Sequence, residues 1–287
     1  MDIDKEKERL VEAAKNPWTW ALLALAIALY WNVVPSMVNI WMTDDAYSHG
    51  VLIPFLAGYV FWLGHEATFA HTAETDARGL ILVALGCAVL LAGKLGAEFF
   101  LTRISMVLLL AGGVWTFWGK ARLRTMTFPL LLLATMVPIP QIVYNKLAAP
   151  LQLFASSVAS NTLEVIGIPV FRDGNVMHLA EISLGVAEAC SGLRSISSLS
   201  VLALVVGFFV SSSNVSRVAL FFCSFPIAIA LNVFRIVGTA LMARQNPALA
   251  EGFFHSFSGW VVFLLGFGVL YLTALGLAAI DGRRVHA

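Results

Sequence analysis

Residues 218–242 read VALFFCSFPIAIALNVFRIVGTALM, 25 residues in which Arg235 is the sole charge. A helix rises 1.5 Å per residue, so about 20 apolar residues cross a hydrocarbon core roughly 30 Å thick. This stretch is long enough to cross, and the charge inside it needs an explanation. The pattern repeats on both sides of it. Apolar runs at 18–38, 51–64, 79–96, 104–118, 126–137, 192–210 and 256–280 bring the number of predicted spans to eight. Runs 51–64 and 126–137 are short, the second cut off by Pro138-Ile139-Pro140. Each also suits a re-entrant or interfacial piece.

Composition agrees. The 287 residues are 59% hydrophobic and 12% charged, with a mean hydropathy of +0.85. Soluble domains carry about 25% charge, so a water-soluble fold this apolar could not cover its surface. A net charge of +1 provides no basic field for nucleic acid. The cysteines Cys87, Cys190 and Cys223 are far apart, without C-x-x-C spacing, and no H-E-x-x-H occurs. That argues against a disulfide framework or a metal site, and no cofactor is expected. Gly and Ala pairs within the spans suit close helix contact.

Charge placement orients the chain. Lys120, Arg122, Arg124, Arg217, Arg283 and Arg284 fall in predicted inner segments, where cytoplasmic Lys and Arg concentrate. Lys94, Arg103 and Arg244 lie on the outer side as exceptions. The expectation is an all-α polytopic membrane protein with both termini inside, forming one integral membrane domain over 1–287. Segment 1–17 is amphipathic, of mixed charge and predicted to be cytoplasmic rather than a cleaved signal. Segment 139–191 is predicted to lie on the outer face. Its part 145–167 suits an interfacial helix with Pro150 in the first turn. Its part 170–186 suits a small β-hairpin turning at Asp173-Gly174, with Ile182, Leu184 and Val186 alternating. The hairpin leads into Glu188-Ala189-Cys190-Ser191-Gly192-Leu193-Arg194-Ser195 and helices 192–280.

Three polar residues gather at the outer ends of the last three spans. Cys190 precedes a helix N-terminus, whose free N–H groups and partial positive charge favour thiolate. Arg194, at i+4, adds to that effect, and Glu188 and Ser191 are polar neighbours. The competing reading is a small packing residue. Arg235 inside its span faces either a cavity or partner, or the interface by snorkelling; Asn232, one turn earlier, adds a second polar group. His255 opens the last span beside Phe253, Phe254 and Phe257, as a proton carrier or as an aromatic-belt residue. His49 lies in Asp44-Asp45-Ala46-Tyr47-Ser48-His49-Gly50, either a capped polar loop or a supporting site element. Thiol, imidazole and guanidinium together are the parts for acyl transfer through a thioester. A transporter or polymer-assembly protein binding an anion at Arg235, or a haem or quinone protein using His49 and His255, are the rival readings.

Taken as a set, Ala189-Cys190-Ser191-Gly192-Leu193-Arg194-Ser195, the Asn232–Arg235 stretch and His255 resemble the exosortase/archaeosortase family. Tyr47-Ser48-His49-Gly50, Val137-Pro138-Ile139-Pro140 and Asp173-Gly174-Asn175 are similar to it as well. The resemblance implies a membrane cysteine protease/transpeptidase with Cys190 as nucleophile, His255 as acid/base and Arg235 as stabiliser. Arg194, Asn232, His49, Glu188 and Ser191 would be supporting members. It implies substrate proteins of PEP-CTERM type, with a C-terminal motif, a transmembrane helix and a basic tail. Such substrates are often linked to exopolysaccharide production. Membrane lipids, and an acceptor amine on a lipid or glycan, complete the implied partners. The implied location is the inner (plasma) membrane, with the site on the extracytoplasmic side.

Overall fold

The structure, a computed structural model, describes residues 17–180, 182–185, 192–211, 213–246 and 252–285. The chain is mostly helical and divides into two compact units, 1–140 and 141–287.

The first unit holds α1 (Pro17–Tyr30), α2 (Val33–Thr43), a 3-10 turn (Ser48–Val51), α3 (Ile53–Leu63), α4 (His65–Ala70), α5 (Gly79–Leu95), α6 (Phe99–Thr125) and α7 (Thr127–Thr135). Its frame is the α5–α6 hairpin. Gly79, Gly86 and Gly93 recur every seven residues and meet Thr116, Leu109 and Thr102, which recur every seven in the opposite direction. A seven-residue repeat keeps one stripe turned to the neighbouring helix, and glycine lets the backbones approach closely. A Cβ at Gly93 would stand 2.6 Å from the Thr102 backbone nitrogen, whereas one at Gly113 would meet nothing within 4 Å. Gly93→Ala should therefore cost about 1–3 kcal/mol by overpacking. Gly113→Ala should leave stability unchanged or raise it through helix propensity. Thermal unfolding in detergent compares the two; equal Tm values would rule out tight α5–α6 packing.

The span count differs from expectation. Among the described residues, four helices are long and apolar enough to cross a membrane: Phe99–Thr125, Leu193–Val210, Asn214–Gln245 and Phe257–Gly282. The bent pair Ala24–Tyr30 and Val33–Thr43 would make a fifth. The predicted first span is thus broken, with a 47° bend. Pro35, in the first turn of α2, cannot donate to the Trp31 carbonyl and its ring crowds that turn. The predicted second, third and fifth spans are helices of 11, 17 and 9 residues. Nine residues reach about 14 Å, roughly half the hydrocarbon core. The predicted fourth span ends where α6 kinks, at Gly119 with φ 86° and ψ 166°. Beyond the kink, Arg122 is buried and donates from Nε and Nη2 to the His71 carbonyl at 3.0 and 2.9 Å. Large apolar side chains such as Phe55, Trp62, Leu95 and Phe222 remain exposed on the helix faces, as a lipid-facing surface requires.

The second unit holds α8 (Gln141–Val165), β1 (Phe171–Asp173), β2 (Val176–His178), β3 (Ser183–Gly185), α9 (Leu193–Val210), α10 (Asn214–Gln245) and α11 (Gly252–Val285). Its axis is α10. Ser216, Leu220, Ser224, Ala228, Asn232, Ile236 and Ala240 recur every four residues and are all buried. Small residues dominate this stripe, so neighbouring helices close in on it. Ser200 and Ser224 hydroxyls meet at 3.2 Å, and Gly207 lies against Arg217. One antiparallel register joins α9 to α10, since each step along one helix is matched by an equal step back along the other. On the α11 side, Ser216 donates to Asp281 at 2.9 Å and Leu231 packs over Gly266. Ile196, Leu199, Ala203, Leu220, Ala228, Leu270 and Ala274 form the core between the three helices.

Two expectations for segment 139–191 are revised. The hairpin is a three-stranded antiparallel meander, β1-β2-β3, with β3 pairing Gly185 to Val176 and Ser183 to His178. The alternation at Ile182 and Leu184 signals that third strand. Asp173 pairs with Val176, so the tight turn is Gly174-Asn175 rather than Asp173-Gly174. Gly174 takes φ +60°, which a primed hairpin turn needs and glycine supplies without strain. The predicted interfacial helix begins earlier, at Gln141, so Pro150 stands well inside α8 and not in its first turn. The face bearing Ala155, Ser156, Ala159 and Leu163 is buried against the sheet and α10.

Candidate functional site

Arg235 lies ten residues before the end of α10, about 15 Å along the axis. Its Nη1 lies 3.8 Å from where a Cβ on Gly259 would stand, on the neighbouring helix α11. Gly259 is four residues, one helical turn, along α11 from His255. The 3.8 Å separation is an ordinary van der Waals distance, so the guanidinium lies against α11 at this position. The register set by Ser216–Asp281 and Leu231–Gly266 brings Arg235 level with Val262, and the long side chain reaches Gly259, about one turn nearer the start of α11.

Asn232, one turn earlier on α10, is 2% exposed. A buried amide of this kind is tolerated where its polar atoms find partners. It packs against Gly192, the residue that starts α9; a Cβ there would lie 3.3 Å from Asn232 Nδ2. Gly192 has φ +86° and ψ −12°, the left-handed conformation that costs other residues about 1–2 kcal/mol. The backbone angle favours glycine at 192, and a Cβ there would also press on the Asn232 side chain. Gly192→Ala should cost about 1–2 kcal/mol and lower Tm by a few degrees. An unchanged Tm would show that the α9 start is not held in this conformation.

The sheet reaches the same stretch of α10. Met177 on β2, 1% exposed, packs with Ala155, Ala159 and Ile236, and Val233 and Val237 complete the cluster. Ser156 Oγ donates to the Gly174 carbonyl at 3.2 Å and ties the turn to α8. Residues 232–237 of α10 are thus met by the sheet, by the start of α9 and by α11.

Among the predicted site residues, Asn232, Arg235 and the start of α9 share this region. Arg194 lies in the first turn of α9, where its carbonyl accepts from Ser197 Oγ at 2.9 Å. His255 lies in α11, with its side chain outside the described part. Glu188, Cys190 and Ser191 lie outside the described residues. Gly192 stands within the Ala189–Ser195 block without a role of its own in the sequence, and Gly259 and Met177 lie outside every motif. Two of them carried a local signal, since Gly192 follows Cys190 by two residues and Gly259 follows His255 by one turn.

His49 belongs to the first unit. Its ring donates to the Thr135 carbonyl at the end of α7, and burial pushes its pKa below the ordinary histidine range. Trp41 Nε1 donates to the next carbonyl, Met136, at 2.9 Å. A Cβ on Gly50 would strike the Trp41 ring. The Tyr47-Ser48-His49-Gly50 turn is therefore tied to Thr135 and Met136, the residues that lead into Val137-Pro138-Ile139-Pro140.

The family model for transmembrane exosortases matches residues 41–272, most of the chain and all of the elements above that carry these motifs. No curated protein and no solved structure matches the chain.

Proposed function

This chain belongs to the transmembrane exosortase family, and we propose on that basis that it is a cysteine protease/transpeptidase acting on the C-terminal sorting signals of exported proteins. The observation that carries this reading is the approach of the Arg235 guanidinium to Gly259, one turn from His255. It associates the one charge deep in α10 with the helix that bears the imidazole. The Gly192–Asn232 contact supports it by holding the start of α9, two residues beyond Cys190, to the same part of α10.

The chemistry follows from the groups. The Cys190 thiolate attacks the scissile carbonyl and forms a thioester as the C–N bond breaks. His255 protonates the departing amine and then deprotonates the incoming nucleophile. Arg235 stabilises the charge that develops on the carbonyl oxygen. Water as the nucleophile gives hydrolysis; an amine of a lipid or glycan gives transfer. The substrate's own transmembrane helix and basic tail would dock beside α9, α10 and α11. The proposed setting is the inner membrane, with both termini inside and the site on the extracytoplasmic side.

A direct test is a thiol probe or trapped thioester in a Cys87→Ala/Cys223→Ala background, where Cys190 is the remaining thiol. The reading expects a substrate-derived acyl adduct on Cys190 that is lost in the triple variant. No adduct during active processing of the substrate would sink it.

A further inference from the structure

We propose that the cleft between the α1–α2 break and the α5–α6 turn binds the phosphate of an anionic phospholipid. The cleft has a volume of about 390 Å³, and its polar lining includes Asn32, Ser36, Lys94 and Arg103. Arg103 is only 7% exposed. Its guanidinium reaches Ser36 Oγ with a long bond of 3.4 Å and lies over the Phe99 ring at 5.4 Å. Its Nε is buried with no hydrogen-bond partner among the described residues. Glu98, close by on the chain, turns its carboxylate to the Leu101 N–H at 2.7 Å and caps α6 with it. Lys94 reaches the Leu29 carbonyl at 3.4 Å and is otherwise exposed.

A buried guanidinium is costly unless an anion satisfies its forked donors. Here two cations, an amide and two hydroxyls line one cleft, and the Glu98 carboxylate attracts Arg103 from nearby but spends its hydrogen bond on the Leu101 N–H, leaving the guanidinium's forked donors to a further anion. That donor set suits a phosphate, which accepts from several N–H groups at once. The position selects a lipid as its source. Arg103 is one turn into α6, just past the end of a helical hairpin, the level at which headgroups sit. Trp31, Leu95 and Phe99 are strongly exposed around the α1–α2 break and the α5–α6 turn, giving acyl chains an apolar surface. A soluble anion would gain nothing from them. Lys94 and Arg103 are also charges that run against the predicted inside bias. A lipid phosphate on the outer side gives both a reason to be there.

The test uses the full chain purified in detergent and native mass spectrometry with phosphatidylglycerol, phosphatidylcholine or inorganic phosphate. Phosphatidylglycerol should be retained in preference to phosphatidylcholine, and inorganic phosphate should not displace it. Arg103→Gln and Lys94→Gln should each weaken retention at least tenfold. If Arg103→Gln fails to fold, Lys94→Gln, at an exposed side chain, still decides. Equal retention of the two lipids, or wild-type retention by Lys94→Gln, overturns the proposal. Displacement by inorganic phosphate overturns the lipid assignment. Cys190→Ala should bind lipid as wild type does, so failure here is separable from failure of the cysteine chemistry.

Discussion

Cys190→Ala should reach the membrane at the wild-type level and leave its substrate's C-terminal signal uncut, a fall in processing on the order of 10⁴-fold or more. The size of the effect comes from the role. A nucleophile that forms the covalent intermediate has no substitute in a methyl group. Cys190→Ser should be nearly as inactive. A hydroxyl is far harder to deprotonate than a thiol, and a helix N-terminus favours thiolate without making alkoxide. The fold should survive, because the α9–α10 register is held by Gly192 on Asn232, Ser200 on Ser224 and Gly207 on Arg217. The measurement is the mass of the substrate's mature C-terminus, beside the amount and Tm of the variant. Normal processing by Cys190→Ala with the protein intact would return Cys190 to the packing role and revive a transporter-like reading of Arg235.

The last three spans were legible because long apolar runs leave little choice of structure. Predicted spans 192–210, 218–242 and 256–280 lie within or almost coincide with α9, α10 and α11. The break in the first span was less legible. Pro35 was visible, but Pro150 and Pro226 stand inside helices that continue through them. Whether a proline ends a helix depends on what packs around it, and one sequence does not show that. The third strand is not legible because alternation at Ile182 and Leu184 fits the second strand of a hairpin as well as a third strand beside it. The seven-residue spacing of Gly79, Gly86 and Gly93 was present in the sequence, but its meaning depends on Thr102, Leu109 and Thr116 facing it. The same limit applies to the site. Arg235 and Asn232 stood out as polar groups in an apolar span; that they meet Gly259 and Gly192 is tertiary information.

Arg235→Leu should separate stability from activity, raising the first and removing most of the second. A charge at mid-span costs about 2.5–3.5 kcal/mol on insertion scales, so leucine should make α10 easier to insert and Tm should rise. If Arg235 stabilises a developing oxyanion, its loss should lower processing about 10²–10³-fold. The loss should fall on kcat with KM little changed, because the interaction forms only as charge builds on the carbonyl oxygen. Arg235→Lys keeps the charge and loses the planar fork that reaches across to Gly259. It should recover part of kcat and none of the gain in Tm. A snorkelling arginine predicts the reverse pattern, with lysine fully active and leucine altering only insertion. A rise confined to KM would instead place Arg235 in substrate binding. Opposed signs in Tm and kcat are what a charge kept for chemistry requires, and a fall in both would assign Arg235 a structural role instead.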